Sequence, residues 1–293
     1  MNGLFEPFQY EFMQRALLAC AIIGFTNGFL GAFVVLRRLA LMADALSHSL
    51  LPGLAVAVIA VGLNPAGLLL GGLLAAVFVA LGGHLIARSS RVKDETAIAA
   101  LYIIALAVGV GVIKYAHVNV SLDHFLFGNI LGIGDTDLWI SYATSVLVLI
   151  TVTLLQRPLL LALFEPSVAQ TQGVRVGRLL ALLVILIVLT MVTSLQAIGV
   201  LLSLGLMVLP AATVYLVSDS YRRMLWGGGA LGAAGAVVGL LLSFWADIPS
   251  GPAIVLVLGT VFLAAYLFSP KYGVVTSRFR KRHFHEESLR RWK

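Results

Sequence analysis

Long apolar runs separated by short polar stretches repeat along the chain and indicate its fold class. Each run is close to the roughly 20 residues that a helix needs to cross the hydrocarbon core of a bilayer. Backbone groups inside a bilayer must be paired within the segment, so these runs are predicted to be helices. We mark nine runs, with eight as the alternative count, at 15–36, 42–62, 65–87, 95–113, 138–156, 177–196, 198–217, 224–246 and 251–268. The pattern predicts an all-α polytopic membrane protein.

Composition supports the same class and indicates one domain. The 293 residues are 60% hydrophobic and 11% charged, whereas a soluble domain has roughly 45–50% apolar and about 25% charged residues. No polar stretch is long enough to form a soluble domain between the runs. We therefore predict a single transmembrane domain over 1–270, followed by a basic cytoplasmic tail over 271–293.

The basic residues indicate the orientation of the chain in the membrane. The net charge is +7, and all of the 20 lysines and arginines except Arg15 and Lys114 lie in alternate connections or in the tail. Loops on the cytoplasmic side carry an excess of Lys and Arg. The nine-span count then places the N-terminus outside and the C-terminus in the cytoplasm. Because the positive charge follows topology, it does not indicate nucleic-acid binding, although the tail suits contact with lipid headgroups.

The stretch DALSHSLLPG, residues 44–53, places ionisable residues in the second apolar run. Asp44 and His48 are four residues apart, so they lie on one face of a helix. A carboxylate and an imidazole are suitable ligands for a first-row divalent cation, and ionisable residues within a span mark ion or substrate pathways. Pro52 has no N–H for the carbonyl of His48, so Pro52 and Gly53 are predicted to break the helix beside the site.

Other interpretations of these residues stay open at this stage. Asp44 and His48 could form a hydrogen-bonded pair that only fixes the helix. Two ligands are also too few for zinc or manganese, so the others would come from water or from a second subunit across a two-fold axis. In the outer connection, His117, Asp123 and His124 could attract cations or could be ordinary solvated residues.

The connection FEPSVAQTQGVRVGR, residues 164–178, predicts a short helix outside the membrane. Pro166 suits the first helical position, and Gly173 suits the position just after a helix end. Glu165 places a negative charge at the helix N-terminus, where it is favourable. A helix of about two turns on the cytoplasmic side could serve as a docking element for a partner.

Several catalytic motifs are absent from the sequence. It contains no GK dipeptide, and therefore no GxxxxGK[ST] phosphate loop, and it contains neither HExxH nor GxSxG. The chain is therefore not expected to be an enzyme, and any ATP-driven work would need a partner protein. The alternatives are a secondary cation transporter, with Asp44 and His48 as an ion or proton relay, and an intramembrane hydrolase. The hydrolase lacks a further carboxylate or nucleophile within a span.

Four stretches in order, the last of them in two parts, give the chain a family resemblance. LRRLALMADALSHSLLPGLA (36–55) resembles the signature of the manganese/zinc/iron permease family of ABC importers, in which a basic pair precedes an Asp-Ala-x-Ser-His-x-x-x-Pro-Gly element. VKDETAIAALY (92–102) and FEPSVAQTQGV (164–174) resemble the family's acidic-threonine span opening and its ATPase-docking segment. The late helices of the family are similar to AIGVLLSLGLMVLPAATVYLVS (197–218) and SFWADIPSGPAIVL (243–256).

The resemblance implies an ABC-importer permease fold in the bacterial plasma (inner) membrane. It implies a dimer of permease subunits, either a homodimer or a pair with a related permease, together with a cytoplasmic ABC ATPase dimer and an extracytoplasmic binding protein that delivers the metal. Manganese, zinc or iron would then be the transported ion, with no permanently bound cofactor. The metal path carries over to Asp44 and His48, and ATPase docking carries over to the region around Glu165, Ala169 and Gly173.

Overall fold

The computed structural model describes residues 6–62, 64–115, 130–270 and 272–279, and their regular structure is helical. Short 3-10 turns cover Glu6–Gln9 and Ile130–Gly132. The α-helices are α1 (Glu11–Leu36), α2 (Ala40–Val61), α3 (Pro65–Ser89), α4 (Asp94–Tyr115), α5 (Asp135–Phe164), α6 (Pro166–Thr171), α7 (Val176–Ile198), α8 (Val200–Val217), α9 (Tyr221–Ala246), α10 (Ser250–Phe268) and α11 (Val274–Phe279).

Each of the nine predicted apolar runs coincides with one long helix. Eight of these helices are long and apolar enough to cross a membrane, and α8 is shorter, with its apolar part at Leu201–Val217. The 18 residues of α8 would extend about 27 Å at ~1.5 Å per residue, close to the thickness of the hydrocarbon core. The all-α polytopic prediction is confirmed, with eight clear candidate spans and one marginal one.

Helix α1 lies at the centre of the bundle. Most of its length is buried, whereas less than a third of the apolar window of α3, α4, α5 or α10 is buried. It packs against α9, α8, α5 and α7. Its C-terminal half carries Phe29 and Phe33, both fully buried in the largest apolar cluster. The peripheral helices therefore present apolar side chains outward, as expected for a protein solvated by lipid.

Glycines set the close packing of α1 against α9. A Cβ atom built on Gly24 would lie 2.6 Å from the carbonyl oxygen of Gly232, and one built on Gly28 would lie 2.8 Å from the carbonyl carbon of Gly228. The two backbones approach so closely that a side chain has no room between them. The glycine- and alanine-rich stretch at 227–239 supplies the α9 side of this close approach.

We expect Gly28→Ala to destabilise the folded bundle by about 1–3 kcal/mol, the usual cost of overpacking a tight core. The added methyl group would meet the Gly228 backbone, which cannot move aside as a flexible side chain could. Gly111→Ala is the matched control, because a Cβ there meets nothing within 4 Å, and it should be neutral or slightly stabilising. Thermal unfolding of both variants in the same detergent measures the difference. Equal unfolding temperatures would contradict the packing argument.

Helices α2, α3 and α4 form a group that packs onto α7. The inward face of α2 contributes Leu46 and Leu50, which are buried with Val79 of α3, Ile98 of α4 and Val192 of α7. Burial of this face fixes the rotation of α2 about its axis. The residues on the other faces of α2, including Asp44 and His48, are consequently left in partly exposed positions.

Candidate cation path along helix α2

Asp44 and His48 lie one turn apart near the N-terminal end of α2. Asp44 Oδ1 and His48 Nε2 are 3.8 Å apart, and the side chains are 52% and 35% exposed. This separation is longer than a hydrogen bond, so the two groups face a common space without closing it. An oxygen and a nitrogen ligand on one helix face can both be directed at a cation placed between them.

Helix α4 runs beside this face of α2. The rings of His48 and Tyr102 are nearly parallel, with centroids 6.3 Å apart and an angle of 28° between the ring planes. Further along, a Cβ built on Gly109 would lie 2.8 Å from the Cα of Pro52. Because both contacts advance in the same direction along the two helices, α2 and α4 run parallel. Tyr102 therefore forms one wall of the space beside the Asp44–His48 pair.

The predicted helix break at Pro52 and Gly53 is wrong. Helix α2 is continuous from Ala40 to Val61, with Pro52 inside it. The reason lies in tertiary packing, because Pro52 contacts Gly109 of α4, and a Cβ on Gly53 would collide with the carbonyl oxygen of Gly71 on α3. Pro52 still removes the N–H that the carbonyl of His48 would otherwise accept. The Pro-Gly pair thus makes room for two neighbouring helices and leaves one carbonyl oxygen available within the helix.

A single copy of the chain supplies an incomplete set of metal ligands. Within the described residues, no group of three or more His, Cys, Asp and Glu side chains could hold a metal ion. The serines beside the pair bond to their own helix, since Ser47 Oγ donates to the carbonyl of Asp44 and Ser49 Oγ donates to that of Leu46. Asp44 and His48 are thus the two candidate ligands that α2 offers.

The expected short helix of the 164–178 connection is present as α6. Pro166 occupies its first position, and Gly173 follows its end with φ of 79°. Ala169 is fully buried, and α6 packs on α5 and α7. Ala169 can therefore seat α6 on the bundle but cannot offer its side chain to a partner. Glu165 and Gly173 are exposed, and so is Val168 on the outer side of the helix.

Some residues singled out from the sequence lie outside the described residues. They are His117, Asp123 and His124 of the outer connection and the tail after residue 279. The hypothesis that the outer connection attracts cations stays a prediction.

Sequence reasoning missed a second pair of the same chemistry, at the α3–α4 connection. His84 Nδ1 of α3 lies 3.3 Å from Asp94 Oδ1 of α4, and both side chains are about half exposed. They line a cavity of about 430 Å³ that Met42 of α2 and Gln170 of α6 also line. The two residues are ten apart in sequence, so no helical spacing rule joins them. The sequence signal that could have found the pair was the short connection between α3 and α4, because such a connection brings the end of one helix next to the start of the other.

These features define a polytopic helical protein of the membrane with an ionisable pair on one of its spans. Residues 9–269 match the ABC 3 transport family, and the chain belongs to that family. The family resemblance drawn from the four sequence stretches is thereby confirmed, and so is the multi-pass location in a bacterial membrane. The chain is accordingly a transport subunit and not itself a catalytic one.

Similar proteins cover nearly the whole chain. It is 38% identical over 280 residues to the manganese transport system membrane protein MntC of Halalkalibacterium halodurans, covering 95% of this chain and 94% of the relative. It is 34% identical over 279 residues to the chelated iron transport system membrane protein YfeC of Yersinia pestis, covering 95% and 94%. Among solved structures, PsaBC from Streptococcus pneumoniae in complex with Fab is 31% identical, with a TM-score of 0.83 over 94% of this chain and 98% of the other.

Proposed function

We propose that this protein is the membrane permease subunit of an ATP-driven importer of a divalent transition-metal cation. The observation that carries the proposal is the Asp44–His48 pair on a membrane-spanning helix. Asp44 Oδ1 and His48 Nε2 are 3.8 Å apart, and both side chains are partly exposed. Burying ionisable groups in a bilayer is costly, so their presence within a span favours a role in an ion path. The continuous helix α2 and the Tyr102 ring hold this pair in place.

The remaining ligands come from a second copy of the chain. One copy offers two side-chain ligands, whereas transition metals take four to six. The pair is partly exposed on the outside of the monomer, so a two-fold axis beside α2 would bring two aspartates and two histidines together. Water and the carbonyl oxygen of His48 can complete the coordination. The functional unit is accordingly a homodimer.

Manganese is the favoured substrate and iron is the second candidate. The chain is similar to a manganese transport system membrane protein and, at lower identity, to a chelated iron transport system membrane protein. One carboxylate and one imidazole per copy suit both ions, because carboxylate favours manganese and imidazole also binds iron. Zinc, the third ion compatible with these ligands, is a comparison metal for the assays.

The partners follow from what this chain lacks. It has no phosphate-binding loop of its own, so ATP hydrolysis belongs to a cytoplasmic ATPase dimer that docks on α6. From the positively charged connections we infer that α6 lies on the cytoplasmic side, with the N-terminus outside and the C-terminal tail inside. An extracytoplasmic binding protein delivers the cation to the opposite side. Inward transport then passes from that protein along α2 to the cytoplasm.

Uptake by reconstituted vesicles distinguishes this proposal from a secondary transporter. With the ATPase and binding protein present and ATP on the ATPase side, radioactive manganese should accumulate, and ionophores that collapse proton and sodium gradients should leave the rate unchanged. Energy comes from nucleotide hydrolysis, so omitting ATP or the ATPase should reduce uptake to background. Uptake that persists without ATP and stops with an ionophore would overturn the proposal in favour of the gradient-driven alternative.

A further inference from the structure

We infer that His84 and Asp94 form a second, cytoplasmic-side cation site that receives the ion from Asp44 and His48 before its release. This inference rests on the proposed function and its topology. Nδ1 of His84 and Oδ1 of Asp94 are 3.3 Å apart, a hydrogen bond that a bound cation would replace, and the side chains are 50% and 58% exposed. The pair repeats the ligand types of the first pair, one imidazole and one carboxylate, which suit the same class of cation.

Helix geometry places the second pair in line with the first. Helices α2 and α4 run parallel, with His48 beside Tyr102. Asp94 precedes Tyr102 by eight residues and Asp44 precedes His48 by four, which are distances of about 12 Å and 6 Å along the helix axes. Asp94 thus lies roughly 6 Å beyond Asp44, toward the N-terminal ends of α2 and α4. In the proposed topology this direction leads to the cytoplasm.

The same residue spacing keeps the second pair on the correct side of α4. Asp94, Ile98 and Tyr102 follow one another at intervals of four, so they lie on one helix face. Tyr102 on this face contacts His48, and Ile98 and Asp94 line the cavity that also reaches Met42, two residues before Asp44. The seam between α2 and α4 therefore has one ionisable pair at Asp44 and His48 and another at the end of the bundle, with the apolar side chains of Met42 and Ile98 between their levels.

The charges around the cavity suit a site that releases its ion. Asp94 and Glu95 line it together with Arg37 and Arg88. Two positive charges near two carboxylates weaken the attraction for a divalent cation, so the ion is not held firmly. A transport path requires sites that are favourable enough to enter and weak enough to leave. The cavity is also lined by Gln170 of α6, which brings the site next to the helix proposed to dock the ATPase.

The test measures ATP-dependent manganese uptake in vesicles containing this permease, its ATPase and its binding protein. Asp94→Asn and His84→Gln should each lower the maximal uptake rate by roughly tenfold, the lower end of the loss seen when metal-site partners are removed. The concentration of loaded binding protein that gives half-maximal uptake should not change, because loading occurs at Asp44 and His48. ATP hydrolysis should continue, and Asp94→Glu, which keeps a carboxylate, should retain most of the rate.

Lys93→Gln is the matched control, since Lys93 directly precedes Asp94, is exposed and is not among the residues that line the cavity. It should leave uptake close to the wild-type rate. Wild-type uptake by Asp94→Asn and His84→Gln would overturn the second site while leaving the proposed importer intact. An equal loss in Lys93→Gln would also overturn it, because any change of charge at the α3–α4 connection, and not the pair itself, would then matter. Failure of the wild type to transport with ATP would count against the proposed function itself.

Discussion

Manganese uptake should fall by roughly 100-fold or more in either Asp44→Asn or His48→Gln, because losing only a side chain that orients a metal ligand already costs roughly 10- to 100-fold. Each substitution keeps the side-chain size and removes a ligand from a pair whose atoms lie 3.8 Å apart. In a two-fold dimer each substitution removes two ligands at once. The assay is the vesicle system with ATPase, binding protein and ATP, in which manganese, iron and zinc are compared in parallel.

The variants should nevertheless fold and assemble like the wild type. Both side chains are partly exposed and form no hydrogen bond with each other, so replacing either leaves the packing of Leu46 and Leu50 intact. Asp247→Asn provides a matched control, because Asp247 ends α9 in a left-handed conformation with φ of 52° that asparagine also tolerates. The control should transport normally. Wild-type uptake by the two site variants would show that the pair serves only the structure of α2.

The parts of the fold that sequence predicted well are those governed by local rules. Apolar runs of bilayer length coincide with the long helices, and the Pro166 and Gly173 signals bracket α6. The placement of Asp44 and His48 on one face followed from a spacing of four residues alone. These features depend on the residues of one segment and on the solvent around it, so no knowledge of distant neighbours was needed.

The features that sequence missed depend on contacts between segments. Pro52 and Gly53 are typical of a helix break, yet α2 continues because Gly109 and Gly71 pack against them. These two glycines are distant in sequence, so the local pattern does not reveal the contact. The His84–Asp94 pair forms because α4 folds back on α3 and brings the two side chains together. The pattern of either helix alone does not predict this alignment. Ala169 was expected at a docking surface and is fully buried. Its burial depends on where α6 lies against the bundle, which the local signals do not specify.

In the proposed function, α6 is the element through which nucleotide hydrolysis reaches the ion path. Ala169 fastens the helix to the bundle, while the outer side presents Val168, which is 41% exposed. Gln170 lines the cavity that also contains His84 and Asp94. A shift of α6 would therefore change the walls of that cavity directly. In the proposed function, docking and ion release are therefore joined through this one small helix.

We expect Val168→Asp to uncouple the ATPase from transport. An unpaired carboxylate in a protein interface costs about 2–5 kcal/mol, and each ~1.4 kcal/mol is tenfold in affinity. ATPase binding and transport-linked hydrolysis should therefore fall by about 25-fold or more, while manganese binding to the membrane subunit stays unchanged. Co-purification of the ATPase, hydrolysis rate and manganese binding are measured on the same preparation.

Val274→Asp on α11 is the control, since Val274 is 37% exposed and lies on the same side in the proposed topology. An equal loss in the control, or normal coupling in Val168→Asp, would show that α6 is not the docking element.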